Sequence, residues 1–265
     1  EPVSVVARNN GEVWVVNFLS DSVSIVDLTA TPPQVVRTLL VGDEPRDIQF
    51  AGTGDIDRAF ISTAHRGQHR EHPSIATVPG AGDPGLLTPS IGRLDVWVFN
   101  AKNPGPSVGG NPIEILSFYS DSPRPLVVTP DRTTVYVAAF FSGNQTAVVG
   151  AGQVQSNAPG PSTDADGVPR PSVGAIVNFN GSAWLDADGT DWSSFVNYDL
   201  PDLDVFAFNA NTLDTVAEYK SVGTLNFNMA INPLTNKVYV SNTDAHNEII
   251  LRAPAFTAAV PFRGR

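Results

Sequence analysis

The chain has 265 residues, 42% of them hydrophobic, enough to bury a substantial core. It contains no cysteine, which excludes disulfides, thiolate zinc sites, a cysteine nucleophile and covalent c-type haem attachment within these residues. The formal net charge of −11 argues against nucleic acid as a partner, and no apolar run is long enough to span a bilayer as a helix.

Alternating and β-branched residues dominate, and 22 glycines with 22 prolines make the chain turn often. The first repeat reads as strand A at Val3–Ala7, B at Glu12–Phe18, C at Ser22–Leu28 and D at Val35–Val41. Asn9-Asn10-Gly11 and Ser20-Asp21 supply its turns, and Pro32-Pro33 interrupts the chain before D. The second repeat places strands at Asp47–Phe50, Arg58–Thr63, Leu94–Asn100 and Ile113–Tyr119. The third places them at Leu126–Thr129, Val135–Phe140, Leu203–Asn209 and Val216–Ser221. A fourth starts at Val222-Gly223 and gives Asn228–Ile231, Val238–Asn242 and Glu248–Leu251.

The registration is regular. An apolar strand-A residue stands three positions past each repeat's opening residue: Val5 after Pro2, Ile48 after Pro45, Leu126 after Pro123, Met229 after Asn226. Four short strands per unit, with a period in the forties once insertions are removed, predict an all-β chain of four-stranded antiparallel propeller blades. About three and a half to four blades are present, at 2–42, 43–120, 121–221 and 222–265. The whole chain reads as one partial β-propeller and as a processed form or excised piece. Missing sequence, a second fragment or a second copy of the chain is expected to complete its ring.

Openings are 43 residues apart for the first repeat (Pro2 to Pro45), 78 for the second and 103 for the third. The excess falls in the B-to-C connection both times, at 64–91 and 141–201. In a four-stranded blade that connection emerges on the same side as the crossover to the next blade. Long loops on a rigid scaffold are where function usually sits, so a binding face is expected there.

The motifs Val238-Tyr239-Val240-Ser241-Asn242, Val135-Tyr136-Val137 and Val13-Trp14-Val15-Val16-Asn17 resemble the YVTN-type β-propeller repeat. Thr129-Pro130-Asp131, Asn232-Pro233, Ser22–Asp27 and Val41-Gly42 extend the likeness. The resemblance implies an extracytoplasmic protein, periplasmic or on the cell surface, of the kind found among surface-layer and periplasmic propellers. Its implied role is a non-enzymatic scaffold for protein or ligand interaction, with other extracytoplasmic proteins as partners. Two alternatives are the propeller portion of a larger haem- or copper-linked redox enzyme or hydrolase, and a structural surface-layer or filament subunit.

The insertions hold the candidate sites. His65, His69 and His72 fall within eight residues, and His246 follows the equivalent strand of the fourth repeat. Together they form a candidate transition-metal site, set against a polar loop in which Arg66 and Arg70 repel a cation. Asp186, Asp188 and Asp191 alternate around Gly189 as candidate calcium ligands, or as Asx turns in a soluble loop. Trp184, Trp192, Phe195 and Tyr198 either pack the insertion onto the propeller face or form a binding platform for sugar or peptide. Residues 151–171 read as flexible. No nucleophile elbow, zinc-protease motif or phosphate loop is present.

Overall fold

Strands that alternate along one face need a partner for that face; strands that are apolar on both need two. This distinction organises the computed structural model, which describes residues 1–89, 91–157, 163, 165–169, 174–196 and 202–243. The chain divides into two compact units, one of blades (Glu1–Ser142 and Asp202–Asp244) and one that contains the insertion Gly143–Pro201.

In the blade unit, β1 (Pro2–Asn9), β2 (Glu12–Asn17), β3 (Ser22–Asp27) and β4 (Gln34–Leu40) form an antiparallel sheet in sequence order. The amide of Gly11 donates to Asn9 Oδ1 at 2.8 Å, closing the first hairpin. A short 3₁₀ turn at Phe18–Ser20 precedes Asp21, whose φ of 47° is left-handed. The second blade repeats the order with β5 (Asp47–Ala51), β6 (Arg58–Ala64), β7 (Leu94–Asn100) and β8 (Glu114–Phe118).

The third blade begins with β9 (Asp121–Val128) and β10 (Thr134–Phe141). Sequence pattern starts its first strand at Leu126, but β9 reaches back to Asp121 through Pro123 and Pro125. It pairs only with β10, so the missing proline N–H groups cost no ladder bond on its free side. The insertion then builds β11 (Thr146–Val149), α1 (Ala151–Asn157), β12 (Ala175–Phe179) and β13 (Trp184–Leu185), a three-stranded antiparallel sheet with a helix. The start of the segment read as flexible is therefore helical. The blade resumes with β14 (Val205–Asn209) and β15 (Thr215–Tyr219). A further pair, β16 (Leu225–Ile231) and β17 (Val238–Thr243), joins it where Phe141 pairs with Leu225. The expected strand at Glu248–Leu251 lies outside the described residues.

Three apolar seams hold the blades together. Trp14, Val23 and Leu39 of the first blade meet Ile48, Ile61 and Trp97 of the second. Phe60, Val96 and Val98 then face Leu126, Val137 and Phe206 of the third. Val127, Ala138 and Val205 face Met229, with Val238 and Val240 packed alongside. The second blade is thus covered on both sides: Ile61 and Trp97 point one way, Phe60 and Val96 the other. That explains its nearly continuous apolar strands. The first strands of successive blades lie side by side, β1 by β5, β5 by β9 and β9 by β16. Among the described residues the sheets do not close a ring. The fold is all-β with antiparallel four-stranded blades.

Asp47, on the first strand of the second blade, stitches three blades. Its carboxylate accepts from Ser4 Oγ at 2.7 Å and from the amides of Leu126 and Ile48 at 2.9 Å each. Burial nonetheless pushes its carboxyl above the ordinary range.

Glycine closes the Val-Gly crossovers because nothing larger fits. A Cβ on Gly42 would stand 2.5 Å from Thr63 Oγ1, and one on Gly223 would stand 2.5 Å from Asn242 Cγ. Overpacking of this kind costs about 1–3 kcal/mol. Gly42→Ala is therefore expected to lower the denaturation midpoint by that equivalent. Gly152→Ala, which faces open space in α1, leaves the midpoint unchanged or raises it.

Candidate binding face

The first insertion leaves β6 at Ala64 and returns at Leu94. It is fastened by one carboxylate. Asp95, the second residue of β7, is fully buried. Its Oδ1 lies 2.6 Å from His65 Nδ1 and accepts from Ser117 Oγ at 2.7 Å, and its Oδ2 accepts from Arg70 Nη1. Arg70 also donates from Nη2 to the Gly80 carbonyl at 2.7 Å. Two turns of the insertion are thereby tied to the blade. A buried ion pair is weak evidence for net stability, but removing one member leaves the others charged and unpaired.

His65 carries the tether outward. Its Nε2 lies 3.0 Å from the Pro84 carbonyl, so both ring nitrogens are engaged within the protein. Ser117 Oγ lies 3.2 Å from the same Nδ1 that meets Asp95. A serine nucleophile would need the other nitrogen. The cluster is therefore built as a bracket.

The bracket ends in an exposed turn. Gly85 N donates to Asp83 Oδ1 at 2.8 Å, Thr88 N to the Gly85 carbonyl at 2.7 Å, and Arg93 Nη2 to the Leu86 carbonyl at 2.8 Å. At its apex Leu87 is fully exposed and Leu86 partly so. The apex thus presents two adjacent leucines to solvent on a hydrogen-bonded turn.

His69 lies in the 3₁₀ turn Gln68–Glu71, buried against the blade. Its ring stacks on Trp97 at 5.9 Å between centroids and on His72 at 5.4 Å. Its Nε2 is buried with no hydrogen-bond partner. A Cβ on Gly109 would come within 2.9 Å of that atom, so backbone covers it. Burial, then the neighbouring His72, pushes the His69 imidazole from 6.5 to about 4. His72 is exposed, and its Nδ1 accepts from Ser74 N at 3.2 Å, capping the turn Pro73–Ile75. The three histidines thus face three different surroundings. His246 lies outside the described residues. Among those described, no three His, Cys, Asp or Glu side chains are placed to share a metal ion.

The insertion of the third blade departs after Ser142 and returns at Asp202. A buried aspartate, Asp204, immediately precedes β14 and corresponds to Asp95 of β7. Asp204 Oδ2 accepts from Val222 N at 2.7 Å, and Asn226 Nδ2 lies 3.5 Å from Oδ1. Burial pushes this carboxyl upward. The signal was present in the sequence: Leu94–Asn100 reads LDVWVFN and Leu203–Asn209 reads LDVFAFN, whereas the uninterrupted first blade has Ser22 at that register. Sequence reasoning missed it because an aspartate inside an apolar strand reads as an interruption of the pattern.

Within the insertion unit, Trp184 and Trp192 are buried with Val149, Val154, Ala175 and Val177. The tryptophans form this unit's own core. Phe195 meets Trp192 at a tilt, 5.8 Å between centroids, and is exposed, and Tyr198 lies outside the described residues. Asp186 accepts from the amides of Asp188 and Thr190 and from Trp192 Nε1, all at 2.9 Å. Asp191 accepts from Ser193 N at 2.8 Å, and its hydrogen bonds to Ser193 hold its carboxyl below the ordinary range. These aspartates cap turn amides, and they are not gathered around a common point.

No protein-family model matches the chain, and no curated protein matches it. Among solved structures it is similar to Kuenenia stuttgartiensis hydrazine synthase, with a TM-score of 0.39, 16% identity, and coverage of 91% of this chain and 61% of that one. It is also similar to a functionally unknown protein from Desulfotomaculum acetoxidans DSM 771, with a TM-score of 0.39, 11% identity, and coverage of 91% and 62%. The chain spans less than two thirds of the length of either. Likeness this distant carries no argument about what the chain does.

Asp95→Ala is expected to cost about 3–5 kcal/mol, because it strands Arg70 and His65 in a buried site. Limited trypsin digestion should then cut at Arg66 or Arg70 before the blades are cleaved. The His69 resonance is expected to titrate near pH 4 by NMR. Its folded value lies below 6.5, so the ring's contribution to stability is full above that pH and is lost as pH falls toward 4. Replacing it with phenylalanine removes that share of the acid sensitivity.

Proposed function

We propose that this chain is a non-enzymatic β-propeller scaffold that binds a protein partner through the rim carrying the insertions. The blade topology supports the scaffold. One observation carries the finer reading: the Leu86–Leu87 apex stays exposed on a turn that His65, Arg93 and the buried Asp95–Arg70 pair hold in place. A preordered apolar apex loses little entropy on binding, and apolar side chains seated in a partner's pocket dominate interface energetics. The YVTN-type resemblance supports an extracytoplasmic setting.

Exposed apolar residues on the outermost sheets, Val5 on β1 and Tyr239 on β17, support further blades or a second copy packing there. That contact would complete the scaffold, whereas the insertion rim would serve its partner.

The test is affinity capture from an extracytoplasmic extract with the wild-type chain and the Leu86→Ser/Leu87→Ser double variant. Both side chains are exposed, so the variant should match the wild type in melting temperature. The expected result is a protein retained by the wild type and lost by the variant. Equal retention by both would sink the assignment of the apex.

A further inference from the structure

The first strands of the second and third blades begin alike, Pro45-Arg46-Asp47-Ile48 and Pro123-Arg124-Pro125-Leu126. The two arginines are therefore in register. Ser62, near the end of β6, links their backbones: Arg46 N donates to the Ser62 carbonyl at 2.9 Å, and Ser62 Oγ donates to the Arg124 carbonyl at 3.0 Å. Both guanidinium groups stand over phenylalanine rings. Arg46 Cζ is 4.1 Å from the centroid of Phe18, and Arg124 Cζ is 3.8 Å from that of Phe140.

Neither guanidinium makes an ion pair or a hydrogen bond among the described residues, and Arg124 Nε is buried without a partner. In a chain of net charge −11 this is unexpected. The acids nearest Arg46 in sequence are engaged elsewhere. Arg66 pairs with Asp43 at 3.3 Å and with Glu44 at 3.0 Å, and the Asp47 oxygens are taken by Ser4, Ile48 and Leu126. Burial, then the charge of Arg46, holds the Arg124 guanidinium below its ordinary range. The backbones of the two arginines thus meet at Ser62, and among the described residues neither guanidinium has an acid bonded to it.

The same register position is occupied by Val3 in the first blade and Phe227 in the fourth, both exposed. Phe227 meets Phe140 edge to face at 5.6 Å between centroids. Two cations over rings therefore stand between two apolar positions. A guanidinium over a ring keeps its N–H edge free, and that planar edge matches a carboxylate.

We propose that Arg46 and Arg124 form a binding site for a carboxylate borne on an apolar body, such as an aromatic acid, where the first strands of the blades converge. The carboxylate lies between the guanidinium edges and replaces the missing counter-charge. The apolar body rests against Phe227, which meets the Phe140 ring beneath Arg124. The site uses no residue of either insertion, so it goes beyond the scaffold reading and stands or falls separately from it.

Calorimetric titration of the full chain at low salt, with benzoate, acetate and inorganic sulfate as probes, tests the site. Benzoate is expected to bind, with acetate weaker for want of the apolar body and sulfate weaker for want of planarity. Arg46→Gln/Arg124→Gln is expected to weaken benzoate by about tenfold or more, the usual loss when charge-assisted hydrogen bonds are removed. Arg124→Gln alone should raise the melting temperature of the ligand-free chain, since it removes a charge that burial disfavours, and should abolish the further rise that benzoate gives the wild type. If Arg124→Gln does not fold, Arg46→Gln serves in both measurements. Benzoate affinity that survives the double substitution would overturn the site, as would no benzoate binding by the wild type. Sulfate binding above benzoate would overturn the carboxylate assignment.

Discussion

A four-stranded sheet that is apolar on both faces cannot stand alone in water, and the rest of this structure follows from that constraint. Phe60 and Ile61 are neighbours on one strand, and both are fully buried, in different seams. Each seam is worth several large side chains at roughly 1.5–3 kcal/mol apiece. Stacking blades side by side satisfies both faces at once. It also brings the first strands together, where Asp47 links three blades. The crossovers must then be tight, which is why Gly42 and Gly223 stand where a Cβ would collide.

The same constraint leaves only certain places for extra sequence. A strand buried on both faces tolerates no insertion, so the added residues enter between the second and third strands of a blade. Each site of addition has a buried aspartate where the chain re-enters the blade, Asp95 or Asp204. Burying a carboxylate is costly unless donors surround it, and here donors come from the residues around the junction. The first insertion thereby becomes part of the rigid scaffold. The second builds a small core around Trp184 and Trp192 and keeps its own order.

Polar groups in this chain fall into two kinds. Most have their hydrogen-bonding capacity consumed by structure: His65 bridges strand and loop, and Asp186 caps turn amides and an indole. Residue type alone would assign both to metal chemistry. A smaller set keeps unused capacity. Among the described residues, Arg46 and Arg124 lack acceptors and the apex leucines are exposed. The first kind is conspicuous in a sequence because like residues cluster there. The second is inconspicuous, because an arginine in a Pro-Arg pair looks like any other surface charge.

The blade strands and the address of both insertions were legible from the sequence, because alternation and spacing are local properties that a linear pattern records directly. Val5, Ile48, Leu126 and Met229 keep their register whatever surrounds them. The pairing of Asp95 with His65 and Arg70, the covering of His69 Nε2 by Gly109, and the meeting of the Arg46 and Arg124 backbones at Ser62 were decided only in three dimensions. Each depends on residues that the chain separates by a turn, a strand or a whole blade. Burial, which sets the cost of a charge and the worth of a hydrogen bond, exists only once the seams have closed.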